Sequence, residues 1–300
     1  MFYCVFKKVF LGLGDKFFKF DKPRLESQIY PKEVKISSFS YGNDSFQKIN
    51  LFKTNDENKP LIIDIHGGAW VYGDVNLNNQ FCNYMCLKGF NVASIGYRLI
   101  DDVLLKDIFN DIFNAIKFIL KLPINTKKIY ITGDSAGGHL ALVTAKLLKD
   151  KELATRLGFD TPDIDISALC INHPVPYTDI AGKIHGHKLI TKLIAEPGLK
   201  RILYGKKYKD DLLFKELANP TLYINKDGDI PPLLIISSIN DTNYYYQSEI
   251  LNNYLKSINF SHEYYCEKDE KGIHVYNIIY PESELGNKTN EIISKFFKKY

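Results

Sequence analysis

The hexapeptide Gly133-Asp134-Ser135-Ala136-Gly137-Gly138 sets a serine among residues with little side chain. It follows the apolar run 128–132 (KIYIT) and precedes a helical stretch at 136–148. A serine at the tip of a strand–turn–helix is exposed for nucleophilic attack, and its glycine neighbours let adjacent backbone come close. A helix starting at Ala136 aims backbone N–H groups at the same point, which favours a developing negative charge. Upstream, His66-Gly67-Gly68-Ala69-Trp70 closes the apolar run 61–65 (LIIDI). A Gly-Gly turn can present the backbone donors that an oxyanion requires. The expected donors are the amides of Gly67, Gly68 and Ala136, with His66 orienting the turn. Ala69 stands where that pattern has a third glycine.

Such groups must be held by elements whose ends converge. Residues 32–40 and 46–53 read as two antiparallel strands, and 61–65, 91–96, 128–132, 167–172, 233–238 and 262–266 as further strands. Helices are expected at 76–88, 103–120, 136–148, 243–257 and 289–298. In the second of these Leu105, Ile108, Phe109, Ile112, Ile116 and Ile119 recur at three- and four-residue spacing. Strands alternating with helices imply a parallel sheet covered by helices on both faces, which suits the purely apolar strands. Residues 176–230 break this rhythm with helical pieces and no strand. An insertion at the carboxyl end of a sheet strand is well placed to be a lid.

HGGAW, Gly96-Tyr97-Arg98-Leu99 and GDSAGG together resemble the hormone-sensitive-lipase-like branch of the α/β-hydrolase fold. The resemblance runs from about residue 50 to 280 and is densest over 61–145; residues 1–30 and 176–230 match nothing specific. It implies a single α/β-hydrolase domain over 1–300, with a mostly parallel sheet flanked by helices. A helical lid would come from 176–230 and from an N-terminal extension, 1–31. It also implies hydrolysis of carboxylic esters with no metal and no cofactor.

The chain order of that group is serine, acid, histidine. Asp241, just past the run 233–238, is the expected acid; Asp227 and Asp229 precede that strand and fit less well. His274, in Gly272-Ile273-His274-Val275-Tyr276, has a Gly-x-His-x-aromatic setting like the family's and is the expected base. His262 starts a strand and is held away, His139 is structural, and His173 lies on the rim. His185 and His187 read as a surface loop rather than a metal pair. Asp134 caps the helix or ties down a neighbouring loop. The expected activity is a serine carboxylesterase on short- to medium-chain esters, through a Ser135–Asp241–His274 triad and an acyl-enzyme. An amidase, a formamidase or a sugar deacetylase would share that chemistry. A binding protein on the same fold is a reading from another class.

Composition bounds these readings. The 300 residues are 45% hydrophobic and 25% charged, close to an ordinary globular chain and unlike a disordered or collagenous one. A chain of this length buries about 75% of its unfolded surface and needs no staple. The net charge of +4 comes almost wholly from Lys, whereas nucleic-acid readers favour Arg, so no nucleic-acid partner is expected. Five cysteines without CxxC spacing suit buried free thiols in a reducing compartment rather than zinc ligands. The N-terminal apolar run is split by Lys7 and Lys8 and is too short for a signal core or a membrane span. It reads as a helix packed on the domain, with an amphipathic membrane-surface helix as the alternative. A cytoplasmic location, a small-molecule ester partner and no stable membrane insertion are the expectations. An exposed edge strand would allow a homodimer. The lysines of the insertion, such as Lys183, Lys188, Lys192 and Lys206, read as solvated surface.

Overall fold

Strands of five or six residues make one sheet in the order β1-β2-β4-β3-β5-β6-β7-β8. They are β1 (Lys35–Ser40), β2 (Lys48–Lys53), β3 (Leu61–Ile65), β4 (Asn91–Ile95), β5 (Ile129–Asp134), β6 (Ala168–Asn172), β7 (Leu233–Ser238) and β8 (His262–Glu267). β1 and β2 pair antiparallel, as do β2 and β4; every other pairing is parallel. Around the sheet run α1 (Phe2–Leu11), α2 (Leu13–Glu26), α3 (Asn79–Leu87), α4 (Leu105–Ile119), α5 (Ala136–Lys149) and α6 (Lys151–Arg156). They are followed by α7 (Glu196–Tyr204), α8 (Leu212–Leu217), α9 (Tyr245–Ser257), α10 (Tyr276–Ile279) and α11 (Glu284–Lys299). This computed structural model describes residues 2–56, 58–100, 103–180, 196–242 and 244–300, apart from the side chains of Phe2 and Val5. His185, His187, Lys183, Lys188 and Lys192 lie outside the described residues.

Strands β3 to β7 are buried along their whole length, because alternate side chains enter two different cores. Ile63, Ile95, Ile131, Leu169 and Ile235 join one core with the apolar stripes of α4, α5 and α9. Ile62, Val92, Tyr130, Cys170 and Ile236 join the other, against α3 and α11. Each fully buried Ile or Leu contributes about 1.5–3 kcal/mol of transfer free energy. Asp64 takes one of the second set's positions in β3 and is buried beside α3.

Several boundaries differ from expectation for local reasons. α11 starts at Glu284 rather than at 289, because Ser283 Oγ accepts the Gly286 amide at 3.0 Å and caps it. The N-terminal segment forms two helices, α1 and α2. The Phe6 ring of α1 lies against Gly198 of α7, and the Arg201 guanidinium sits 4.1 Å from the centre of the Tyr3 ring. Arg98, part of the GYRL run, forks onto Asp111 of α4 through two 2.8 Å bonds and so anchors the loop after β4. The cysteines are free: Cys82, Cys86 and Cys170 are buried, Cys266 is half-buried and Cys4 is exposed. Among the described residues no helix is long and apolar enough to cross a membrane.

Candidate active site

β5 runs directly into Ser135, whose φ of +53° and ψ of −119° lie outside the usual wells of a side-chain-bearing residue. Holding such a conformation costs on the order of 1–3 kcal/mol, so neighbours must enforce it. The Ser135 amide donates to Asn172 O at 2.8 Å, and its carbonyl accepts from Gly138 at 3.0 Å and Val175 at 3.2 Å. Gly137 allows the elbow to touch β3: a Cβ there would lie inside the carbonyl oxygens of Ile65 and His66.

The loops after β7 and β8 bring two further groups to Ser135. His274 Nε2 lies 2.9 Å from Ser135 Oγ, and its Nδ1 lies 2.6 Å from Asp241 Oδ2. Asp241 is tied at the strand end, its amide donating to Ser238 O and its carbonyl accepting from Tyr244 and Tyr245. His274 is followed by Val275 at φ +51°, an unusual setting for a β-branched residue that aims the preceding imidazole. The Tyr244 ring covers one side of that imidazole at 4.8 Å. His262 is held by Asn252 Oδ1 and Phe260 O, Asp227 accepts from the Ser261 amide just before β8, and Asp229 accepts from Asn225 and Lys226 within its own loop. His139 is buried against Trp70, and burial lowers its pKa to about 3.

His173 is not a rim residue. It is 1% exposed, and its Nδ1 lies 3.0 Å from the same Oδ2 of Asp241 that meets His274. Burial depresses its imidazole, so a neutral ring donates Nδ1–H to the carboxylate. Burial alone would raise the Asp241 carboxyl, but the His274 and His173 imidazoles together hold it well below the usual carboxylate range. β5, β6 and β7 are adjacent, so the residues just beyond their carboxyl ends (Ser135, His173 and Asp241) share one edge.

The loop after β3 turns through three successive left-handed residues, Gly68 at φ +101°, Ala69 at +52° and Trp70 at +63°. Only glycine fits the first, where a Cβ would also lie inside Tyr72 O. His66 is buried beneath this turn, its Nδ1 2.8 Å from Gly67 O and its ring stacked on Tyr97 at 4.3 Å. Burial lowers its pKa to about 4, so it stays neutral. The Tyr97 hydroxyl donates to His66 O at 2.7 Å.

One expected donor is otherwise engaged. The Gly67 amide donates to Asp134 Oδ1 at 3.0 Å. Gly67 is therefore corrected from an oxyanion donor to an anchor of the loop, and Asp134 is the group that ties the loop down. Gly68 and Ala69, with Ser135 and His274, border the cavity in front of the serine.

Behind Asp134 lies a buried polar chain that residue spacing did not reveal. Asn78 Nδ2 donates to Asp134 Oδ1 at 2.7 Å and lies 3.2–3.3 Å from both oxygens of Asp64. Ser94 and Cys82 also donate to Asp64 Oδ2. Burial, and then the charge of Asp134, push the Asp64 pKa up to about 8. The folded protein therefore keeps a proton on Asp64 that the unfolded chain releases above its ordinary 3.8. Stability falls as pH rises through this window, by on the order of a few kcal/mol. Asp64→Asn is expected to unfold at a higher temperature than the parent, with an advantage that grows from about pH 4 to about pH 8 and then levels off. Parallel melting-temperature curves for the two proteins across that range would refute the buried proton.

The cavity before Ser135 holds about 450 Å³ and is mostly apolar, with Phe17 and Phe20 of α2 facing Ile278 and Ile279 of α10. α2 also brings one charged pair to its wall: Arg24 reaches Asp21 Oδ1 at 2.7 and 3.1 Å and Leu77 O at 3.1 Å. Part of the N-terminal extension thus borders the cavity.

Solved structures with this architecture include the crystal structure of esterase B from Lactobacillus rhamnosis. It is 25% identical, with a TM-score of 0.89 over 99% of this chain and 95% of the other. The same esterase B has been solved as its complex with a C4-C4 SN3 tributyrin phosphonate inhibitor, at a TM-score of 0.86 and 26% identity over 98% of this chain and 95% of the other. The chain thus has the α/β-hydrolase fold. Among curated proteins, an AB hydrolase superfamily protein of Schizosaccharomyces pombe is 29% identical over 54% of this chain. An arylesterase of Saccharolobus solfataricus is 27% identical over 61% of it. The matches span only 46% and 58% of those two relatives' lengths. The BD-FAE family profile matches residues 48–255. That stretch runs from β2 to α9 and takes in the loop after β3, the elbow and Asp241, and on this match the chain belongs to the BD-FAE family.

Proposed function

We propose that the protein is a serine carboxylesterase acting on short- to medium-chain esters. The observation that carries this reading is the unbroken relay Ser135 Oγ–His274–Asp241, with its 2.9 and 2.6 Å spacings. His274 Nε2 takes the Ser135 proton as Oγ attacks the ester carbonyl carbon. The carbonyl oxygen becomes an oxyanion, received by the amides of Gly68, Ala69 and Ala136. His274 passes the proton to the departing alkoxide, leaving an acyl group on Ser135. Water then gives a proton to His274 and attacks the acyl carbon, and His274 returns that proton to Ser135 Oγ as the acid departs. Asp241 holds Nδ1–H and stabilises the imidazolium in both halves.

The likeness to a tributyrin-phosphonate-inhibited esterase over nearly the whole chain supports the ester reading. The cavity's size and apolar walls support a modest acyl chain. The contact of α1 with α7 supports a cap built jointly by residues 1–31 and the described part of 176–230. A panel of p-nitrophenyl esters from acetyl to dodecanoyl, with acetylated sugars and an N-formyl anilide beside it, tests the proposal. Highest kcat/KM is expected at butyryl or hexanoyl. An optimum at dodecanoyl would overturn the chain-length reading, and faster turnover of the sugar or the anilide would replace esterase by deacetylase or amidase.

A further inference from the structure

We propose that Tyr72 is a specificity-determining residue, whose ring divides the cavity before Ser135 from a second apolar cavity on the other flank of α2. It thereby limits the length of the ester's aliphatic chain, a role that rests on the esterase reading. The two flanks of α2 face different spaces. Phe17, Asp21 and Arg24, at i, i+4 and i+7, line the Ser135 cavity. Gly14, Phe18 and Leu25, at i, i+4 and i+11, line the second cavity, which holds about 350 Å³. Its other apolar walls include Phe46 before β2, Val71 after β3 and Leu99 after β4, while its two carboxylates, Asp15 and Asp74, are exposed. Among the described residues, Tyr72 and Leu77 are common to both linings.

Tyr72 is held where the two spaces meet. Residues 71–77 run along α2: a Cβ at Gly14 would come within 3.2 Å of Val71 O, and Arg24 Nη1 donates to Leu77 O at 3.1 Å. Between those ties the half-buried Tyr72 ring meets the Phe17 ring of α2 at 5.8 Å. Its Cδ1 lies 3.3 Å from where a Cβ on Gly68 would stand. The Tyr72 amide also donates to Gly68 O at 3.0 Å, so the turn that receives the oxyanion fixes the ring as well. A chain that reaches this ring from the Ser135 cavity stops there. With the ring removed the two apolar spaces join, and each further methylene taken from water adds about fourfold in binding.

The test compares long with short esters by their ratio of kcat/KM. Decanoyl is set against butyryl in p-nitrophenyl esters, and decyl against butyl in alkyl butyrates, because either arm of the ester is an aliphatic chain. Tyr72→Ala is expected to raise the long-to-short ratio by about fifteenfold in one of the two series, as two newly buried methylenes would. The series that responds names the arm that lies against Tyr72. Tyr72→Phe keeps the ring and should keep the parent's ratio. Leu99→Trp adds bulk to the second cavity; it should cancel the gain when combined with Tyr72→Ala and leave the ratio unchanged when made alone. Disturbance of the oxyanion turn slows long and short esters alike and drops out of the ratio. Tyr72→Leu carries the same test, with a smaller gain, where Tyr72→Ala fails to melt cooperatively. A ratio within about threefold of the parent's in both series, or a gain that Leu99→Trp does not cancel, overturns the inference and leaves the esterase reading standing. A folded parent that turns over none of these esters overturns both.

Discussion

Ser135→Ala is expected to lower kcat on p-nitrophenyl butyrate by about a millionfold, since removing the nucleophile of a relay costs about as much as removing the whole relay. The loss should fall on kcat, because the cavity walls that bind the acyl chain remain. A residual rate of about 10³–10⁴ over water is expected from binding and from the oxyanion amides, which the substitution leaves in place. Ser135 is half-buried and its hydroxyl makes a single side-chain hydrogen bond, to His274. The melting temperature should therefore barely move, as for surface substitutions worth within about 0.5 kcal/mol. The same variant should lose labelling by a fluorophosphonate. Wild-type-like turnover in a folded Ser135→Ala protein would mean that the nucleophile lies elsewhere.

Asp241→Asn is expected to lower kcat by about 10⁴-fold at neutral pH with the fold intact. Two imidazoles place Nδ1 against one oxygen of this carboxylate, at 2.6 and 3.0 Å. An amide in its place has one accepting oxygen and no charge to balance the imidazolium that forms on His274. If it turns its NH₂ toward His274, Nδ1 must accept. The proton then moves to Nε2, and the ring can no longer take the Ser135 proton. His173 sharpens the effect, because its own Nδ1–H competes for the single remaining oxygen. A kcat within tenfold of the parent would exclude Asp241 from the relay. The pH profile supplies a second reading. The two imidazoles keep the folded Asp241 carboxyl below its ordinary 3.8, so it stays ionised throughout the neutral and mildly acidic range. The stability it contributes is present above that ordinary value and is lost only as pH falls through the lower folded one. Ionisation of Asp241 should therefore place no limb on kcat/KM in the parent over the neutral and mildly acidic range.

How much of the site could be read from residues varied with how local each signal was. The elbow was legible because a serine at positive φ, with glycine where β3 touches it, imposes its own residue types within six positions. Asp241 and His274 were legible by their place after strands, and the sheet does bring them to Ser135. The oxyanion loop was half legible. Its glycines announce a turn, but which amide is left for a ligand depends on where the others are spent. The Gly67 amide is spent on Asp134, 67 residues away, so Ala69 stands beside Gly68 at the cavity in its place. His173 looked like a rim residue because a His-Pro after a strand carries no mark of depth. The adjacency of β6 and β7 buries it under Asp241.

The alternation of strands and helices, the parallel sheet, the elbow and the two residues that meet Ser135 in a relay, Asp241 and His274, are thus legible along the chain. These follow from side-chain periodicity and from steric demands that act within a few residues. Packing in three dimensions adds what spacing cannot show: Asp241 meets two imidazoles, and Asp64 is buried behind Asn78 and Asp134. Those features depend on which strand ends lie side by side and on which buried polar groups must share partners. Hydrogen-bond commitments of that kind are set by proximity in space, and no spacing along the chain records them.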